Sequence, residues 1–280
     1  MATEILHYTA FSTDPEGGNP AGVVLDASGL SAADMLSIAA ELGYSESAFL
    51  TDPPEGLGEP GRAFTLRYFS PKMEVSFCGH ATVAAAVALA ERIGPGPLTF
   101  ATRAGTVPVE VDADLRATLI SVEPYVEDVN ADDVALALAA LHWDAAHLDP
   151  AFPPRVAYAG ARHLVLAAAT RERLADLDYD FVALAEYMTA RDLTTVQLVW
   201  RESAEVYHVR DPFPVGGVVE DPVTGAAAAA FGAYLRELGL AGPGVLTLHQ
   251  GEDMGRPGVL RVELREGDPS VRVSGAAVAL

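Results

Sequence analysis

The chain of 280 residues has a single cysteine, Cys78, so it forms no internal disulfide and fits a reducing compartment. Basic residues are scarce too. Lys and Arg number 18 against 39 acidic residues, a net charge of −21. Such a surface repels nucleic acid and anionic membranes, and neither is expected as a partner. Long apolar runs are also missing. ATVAAAVALA (81–90) and VALALAAL (134–141) fall far short of the roughly 20 residues that a membrane helix needs. The opening MATEILHYTAF carries Glu4 and no signal-like apolar stretch, so a cytoplasmic protein is expected. No His/Cys/Asp cluster has metal-binding spacing, and His142 and His147 lack partners. GGNPAG is no dinucleotide fingerprint, and no Gly-x-Ser-x-Gly elbow occurs. Neither a metal nor a cofactor is expected.

What the chain does have is a large apolar fraction, 50%, enough for a sizeable core. Its patterning is mixed. EILHYTAF (4–11) and GVVL (22–25) read as strands around a turn-rich loop, STDPEGGNPA (12–21). A helix follows with Ser31 as N-cap and Asp34 completing a capping box. Strand patterns then recur at 46–50, 62–69, 98–102, 106–111, 115–121, 163–169, 195–200 and 205–210, and in GVLTLHQ, GVLRVELR and SVRVSG. Helical patterns run from about 80 to 92, 131 to 141, 181 to 188 and 225 to 238. Short strands in hairpin-like clusters outnumber helices, which predicts α+β rather than a regular parallel sheet.

Two of these helices share a design. CGHATVAAAVALAERIG (78–94) and TGAAAAAFGAYLRELG (224–239) each start at a Gly, continue in tiny residues, then turn larger and charged before a closing Gly. A helix that is apolar on every side is buried on every side. One built of Ala and Gly lets its neighbours approach the backbone closely. The repeat therefore predicts two related halves, each with a sheet curved round a central helix.

Five motifs occur in order: GNPAGVV (18–24), SES (45–47), FCGHATVAAA (77–86), EDPVTGAA (220–227) and QGEDMGRPG (250–258). Together they resemble the PhzF family of phenazine-biosynthesis-like proteins over nearly the whole chain. The resemblance implies the diaminopimelate epimerase fold: an α+β protein of two pseudo-symmetric halves, each a curved, mainly antiparallel sheet round a central helix. The halves would be 1–118, joined by the C-terminal strand 269–280, and 119–268, with the active site in the cleft between them. It implies a cofactor-independent isomerase, a homodimer, that moves a proton on a small anionic metabolite.

The resemblance assigns Glu46 as the acid/base, with His80 and Asp221 as its catalytic companions. Alternation within ESAFL puts Glu46 on the face of Ala48 and Leu50, where an unused carboxylate is costly; read without the family, an exposed rim residue is the favoured alternative, since exposure is the norm for Glu, and the resemblance reverses that. His80 at a helix start is expected to be neutral, since that end is positive. Asp221 before Pro222 also fits plain turn chemistry. Asn19 and Ser45 resemble substrate contacts. Gly79 and Gly225 offer helix-start amides to a carboxylate. Ala226 stands where the family's common motif has Ser, which removes a hydroxyl and leaves the substrate open. Cys78 has no second cysteine to oppose it, so two-cysteine epimerisation is excluded. A small-residue role before the helix and a reactive thiol both remain open for it. The rival to an isomerase is a protein of this fold that binds a metabolite without turning it over.

Overall fold

The computed structural model describes residues 3–280. The chain divides into two units, one running up to Ile120 and including Ser274–Leu280, the other Ser121–Val273. Among the described residues, no helix is long and apolar enough to cross a membrane.

The first unit contains β1 (Leu6–Ala10), β2 (Asn19–Val24), α1 (Ala32–Leu42), β3 (Glu46–Thr51), β4 (Ala63–Phe69) and β5 (Glu74–Val75). It continues with α2 (Gly79–Ile93), β6 (Gly96–Thr102), β7 (Gly105–Val111) and β8 (Arg116–Ile120). Most neighbours are antiparallel: β1 with β2, β3 with β4, β6 with β7 and β7 with β8. Two joins are parallel, β2 with β3 and β4 with β6. Each parallel join is bridged by a helix, α1 and α2 respectively, because two parallel strands need a long crossover. The capping box at Ser31 and Asp34 opens α1 as expected.

One expectation fails locally. The loop was expected to reach residue 21, but β2 begins at Asn19, which pairs with Ala10. Pro20 is tolerated because the pairing with β3 begins only at Ala21, opposite Glu46, so that stretch is paired on one side. Gly18 makes the entry possible at φ +61°. A Cβ there would lie 2.2 Å from the Ala10 carbonyl oxygen and 2.8 Å from Thr9 Oγ1.

The sheet has helices on both faces. Met35 and Ala39 of α1 pack with Val24, Phe49 and Phe69 on one side. On the other, α2 touches β1, β2, β3, β7 and β8, and every residue from His80 to Ala90 is buried.

The second unit contains β9 (Tyr125–Asp128), α3 (Ala131–Ala140), β10 (Arg155–Tyr158), β11 (Arg162–Ala167), α4 (Arg171–Ala175) and α5 (Phe181–Ala190). Then come β12 (Thr195–Arg201), β13 (Val206–Pro212), β14 (Glu220–Asp221), α6 (Gly225–Glu237), β15 (Gly244–Gln250) and β16 (Gly258–Leu264); β17 (Val271–Ala279) starts in this unit and ends in the first, where its last residues pair with β1. The strands β9 and β10 are four residues each and carry mixed sequence, which hides them from pattern reading.

The pairing senses repeat those of the first unit. β10 is antiparallel to β11, β11 parallel to β12, β12 antiparallel to β13, β13 parallel to β15, and β15 antiparallel to β16. Again helices bridge the parallel joins, α4 and α5 at the first and α6 at the second. α6 touches β9, β10, β11 and β16, and is buried along Ala227–Leu235. Its small side chains are required by this close approach: a Cβ on Gly232 would lie 2.7 Å from Val262 Cγ1. Leu138, Leu141, Trp143, Leu184 and Met188 form a second core with β11 and β12. The α+β arrangement expected, a sheet round a central helix in each half, is present.

Candidate active site

Glu46 opens β3, a strand enclosed on both faces. Ala48, Phe49 and Leu50 are all buried, so burial alone does not tell the faces apart. Phe49 belongs to the cluster under α1. Glu46 lies on the opposite pleat and so points toward α2. Its side chain is half-buried.

Cys78 is the N-cap residue of α2, but its side chain makes no capping bond. Its thiol instead donates to Glu46 Oε2 at 3.6 Å. His80, one residue into α2, is buried. Its Nε2 lies 3.7 Å from Glu46 Oε2 and 3.4 Å from Ser45 Oγ. Its Nδ1 lies 3.2 Å from Asn19 Nδ2 and 3.4 Å from Cys78 Sγ. An amide nitrogen only donates, so His80 Nδ1 accepts and the ring proton sits on Nε2, toward Ser45 and Glu46. Burial holds the imidazole's pKa below its ordinary value, and the nearby Glu46 carboxylate pulls in the other direction. The ring is therefore neutral, as expected, with desolvation as the main cause.

Glu46, Cys78 and His80 bring their donor atoms within 4.8 Å of one another. That set could also hold a thiophilic divalent metal. Sequence spacing gave no hint of it, because the three residues span β3 and the start of α2. Asn19, Ser45, Glu46, Cys78, Gly79 and His80 thus gather in the first unit. The cluster combines a carboxylate, a thiol donating to it, and a neutral imidazole directed by an amide. Gly79 starts α2, whose first-turn amides face no N-cap side chain.

Asp221, Gly225 and Ala226 lie in the second unit. Thr224 donates its hydroxyl to Asp221 Oδ2 at 2.6 Å. Gln250 fixes this turn: its Oε1 accepts the Thr224 N–H at 3.0 Å, and its Nε2 donates to the Asp221 carbonyl at 2.9 Å. The QGEDMGRPG motif therefore serves the start of α6. Gly225 is buried and Ala226 half-buried in that first turn.

The shared frame allows position-by-position comparison. Register pairs Ala21 with Glu46 in one unit and His163 with Thr195 in the other. Thr195 is thus the counterpart of Glu46. The N-caps Cys78 and Thr224 correspond, and His80 corresponds to Ala226. The second unit keeps the scaffold and lacks the carboxylate, thiol and imidazole.

A structural motif is retained in both. Arg67 pairs with Glu74 at 2.8 Å, and Arg210 binds Glu220 through two bonds of 2.9 and 2.5 Å. Each Glu precedes its helix-starting Gly by five residues. That spacing is visible in the sequence, and the Arg partners on β4 and β13 give it its meaning. Glu220 is accordingly committed to Arg210, while Asp221 is held by Thr224.

Comparison with known proteins agrees with this frame. The profile of the phenazine biosynthesis-like protein family, PhzC-PhzF, matches residues 8–280. The chain belongs to the PhzF family. Among curated relatives, an uncharacterised isomerase, YddE, of Salmonella typhimurium is 35% identical, with 100% of this chain and 97% of that protein aligned. A trans-2,3-dihydro-3-hydroxyanthranilate isomerase of Pseudomonas fluorescens is 30% identical over 90% of this chain and 86% of its own. A crystal structure of a PhzF-family protein from Bacillus anthracis superposes with a TM-score of 0.86 at 25% identity, covering 100% of this chain and 98% of the other. This PhzF-family protein is an isomerase by enzyme class, and it has the diaminopimelate epimerase-like fold.

Proposed function

We propose that the protein moves a proton between carbons of a small, carboxylate-bearing metabolite, with Glu46 as general acid/base. The observation that carries this is the Glu46 carboxylate with Cys78 Sγ at 3.6 Å and His80 Nε2 at 3.7 Å, beside a helix start. In the first step Glu46 takes a proton from carbon, and the C–H electron pair moves into the adjoining unsaturation. In the second, the protonated Glu46 returns the proton to another carbon, and the double bond has shifted. No atoms are gained or lost, and no electrons leave the substrate. Neutral His80 serves as a hydrogen-bond donor through Nε2–H, and the start of α2 favours the substrate carboxylate. The family resemblance adds Asp221 as a third participant.

Trans-2,3-dihydro-3-hydroxyanthranilate, named for the Pseudomonas fluorescens relative, is one candidate substrate. Ala226 weighs against it, because the hydroxyl of the family's common motif is missing there. The decisive experiment incubates the protein with cyclic amino and hydroxy acids in D₂O and follows carbon-bound hydrogen by NMR. Wild-type protein exchanges deuterium into its substrate, and Glu46→Gln does not; full exchange by Glu46→Gln removes Glu46 from this role. Ala226 also supports the rival reading, a binder without turnover, which any clear turnover eliminates. Cys78→Ser retains exchange, since the thiol only donates to Glu46; its complete loss would make Cys78 the reactive group. The resemblance further supports a homodimer, and a monomeric mass by light scattering at low micromolar concentration would contradict it.

A further inference from the structure

The second unit holds a line of polar groups that leads to Asp221, and of these the reaction above uses only Asp221. Asp211 and Asp221 are directly opposed partners on β13 and β14, so their side chains share one face. Asp211 is fully buried. In the first unit the residue in its place is Tyr68, which pairs with Val75 across the equivalent short strand. A carboxyl group has thus been built into a position that the fold otherwise fills with a phenol.

Counting donors and acceptors determines where the protons lie. Gln250 Oε1 accepts from the Thr224 N–H, so Gln250 Nε2 faces Thr224 Oγ1, at 3.1 Å, and donates to it. The Thr224 hydroxyl spends its one hydrogen on Asp221 Oδ2. Asp221 Oδ2 is therefore an acceptor and carries no proton. On the far side, Thr195 donates its hydroxyl to Asp211 Oδ1 at 2.6 Å. The buried His163 lies 2.8 Å away at Nδ1 and completes Thr195 as its donor. Asp211 Oδ2 is buried with no partner at hydrogen-bonding geometry, although the Thr224 hydroxyl is near enough to influence its charge.

An ionised Asp211 would place a second negative charge beside Asp221, at a position with no exposed surface of its own. Of the other charged groups that face it, Glu220 is also negative and its charge is matched by Arg210. Burial, the largest cause, pushes the Asp211 pKa well above the ordinary carboxyl value; the Thr195 and Thr224 hydroxyls pull it down, Asp221 and Glu220 push it up, and the net shift is upward. His163 offers no counter-charge, because burial lowers its pKa to about 3.

We propose that Asp211 is a neutral carboxylic acid, its Oδ2–H directed at Thr224, and that it acts as a positioning residue that leaves Asp221 as the single, oriented anion at the start of α6. The order of donation is His163 to Thr195 to Asp211 to Thr224 to Asp221. Each hydroxyl in the line has one direction, so Asp221 is held in one rotamer with its charge intact. Only the use of Asp221 on substrate rests on the proposed function; the protonation pattern stands without it.

The test needs no substrate. Infrared spectra in D₂O at neutral pH are recorded for wild type, Asp211→Asn and Asp221→Asn. The expected result is a protonated-carboxyl band in wild type that survives Asp221→Asn and is lost in Asp211→Asn. A wild-type spectrum without the band overturns the proposal, as does a band that survives Asp211→Asn. The Asp221 titration, followed by carboxyl ¹³C NMR, supplies a second reading. Asn mimics the neutral acid, so Asp211→Asn leaves the Asp221 midpoint unchanged. Were Asp211 an anion about 5 Å away, its removal would lower that midpoint by about 2 pH units, and such a drop refutes the proposal. If Asp211→Asn does not fold, the wild-type and Asp221→Asn spectra decide. Failure of deuterium exchange on every tested acid, with the band present, would count against the proposed reaction alone.

Discussion

The two Arg–Glu pairs offer a controlled comparison, because the fold repeats one geometry at two depths. Arg210 and Glu220 are 9% and 4% exposed at the side chain, against 28% and 18% for Arg67 and Glu74. Glu74 also has Arg103 at 3.1 Å to share its charge. Glu220→Gln leaves the Arg210 guanidinium buried with one neutral partner and the Ala175 carbonyl, which accepts from Nη1 at 2.6 Å. Stranding a buried charge in this way costs about 3–5 kcal/mol. Glu74→Gln leaves Arg67 with access to water and costs about 1 kcal/mol. Urea denaturation at pH 7 measures both, with circular dichroism for the whole chain. Tryptophan fluorescence follows the second unit, which contains Trp143 and Trp200. Replacing both members, Arg210→Met with Glu220→Leu, removes the stranded charge and recovers most of the loss. Equal losses at Glu220 and Glu74, or a loss at Glu220 below about 1 kcal/mol, would refute the argument from burial.

Two further outcomes follow from the structure. His163 titrates near 3 when folded and near its ordinary value when unfolded, so the unfolded chain takes up the proton first. Its contribution is complete above pH ~6.5 and is lost as pH falls, reaching about 2 kcal/mol at pH 5; His163→Gln should lack this part of the acid sensitivity, and an unchanged pH dependence in urea titrations would contradict it. Gly18→Ala forces a Cβ toward the Ala10 carbonyl at positive φ and should cost about 2–4 kcal/mol. Because Asn19 is next in the chain, the variant should also perturb the His80 ring resonances; unaltered stability and unaltered His80 signals would show that the turn does not position Asn19.

Much of the candidate site was legible because short motifs carried it. Alternation put Glu46 on the face of Ala48 and Leu50, and the paired Ala-rich helices announced two halves; which helix that face meets needed the structure. Other features were hidden for identifiable reasons. Asn19 was read as loop, since Pro20 and the glycines before it resemble turn chemistry; its strand exists through pairing with Ala10. β9 and β10 are too short to show a period. Thr195, Asp211 and His163 lie on three different strands, and a lone Asp after Arg210 reads as surface charge until burial is known.

Composition and pattern alone determined the α+β class, the buried all-small helices and the motifs at their starts, because periodicity and side-chain volume act within one segment. Only the tertiary structure decided which groups meet. Register put Glu46 against Cys78 and His80, gave Glu220 to Arg210, and opposed Asp211 to Asp221. These contacts depend on strand order and on burial, and a carboxylate's charge and proton are set by the groups that close round it.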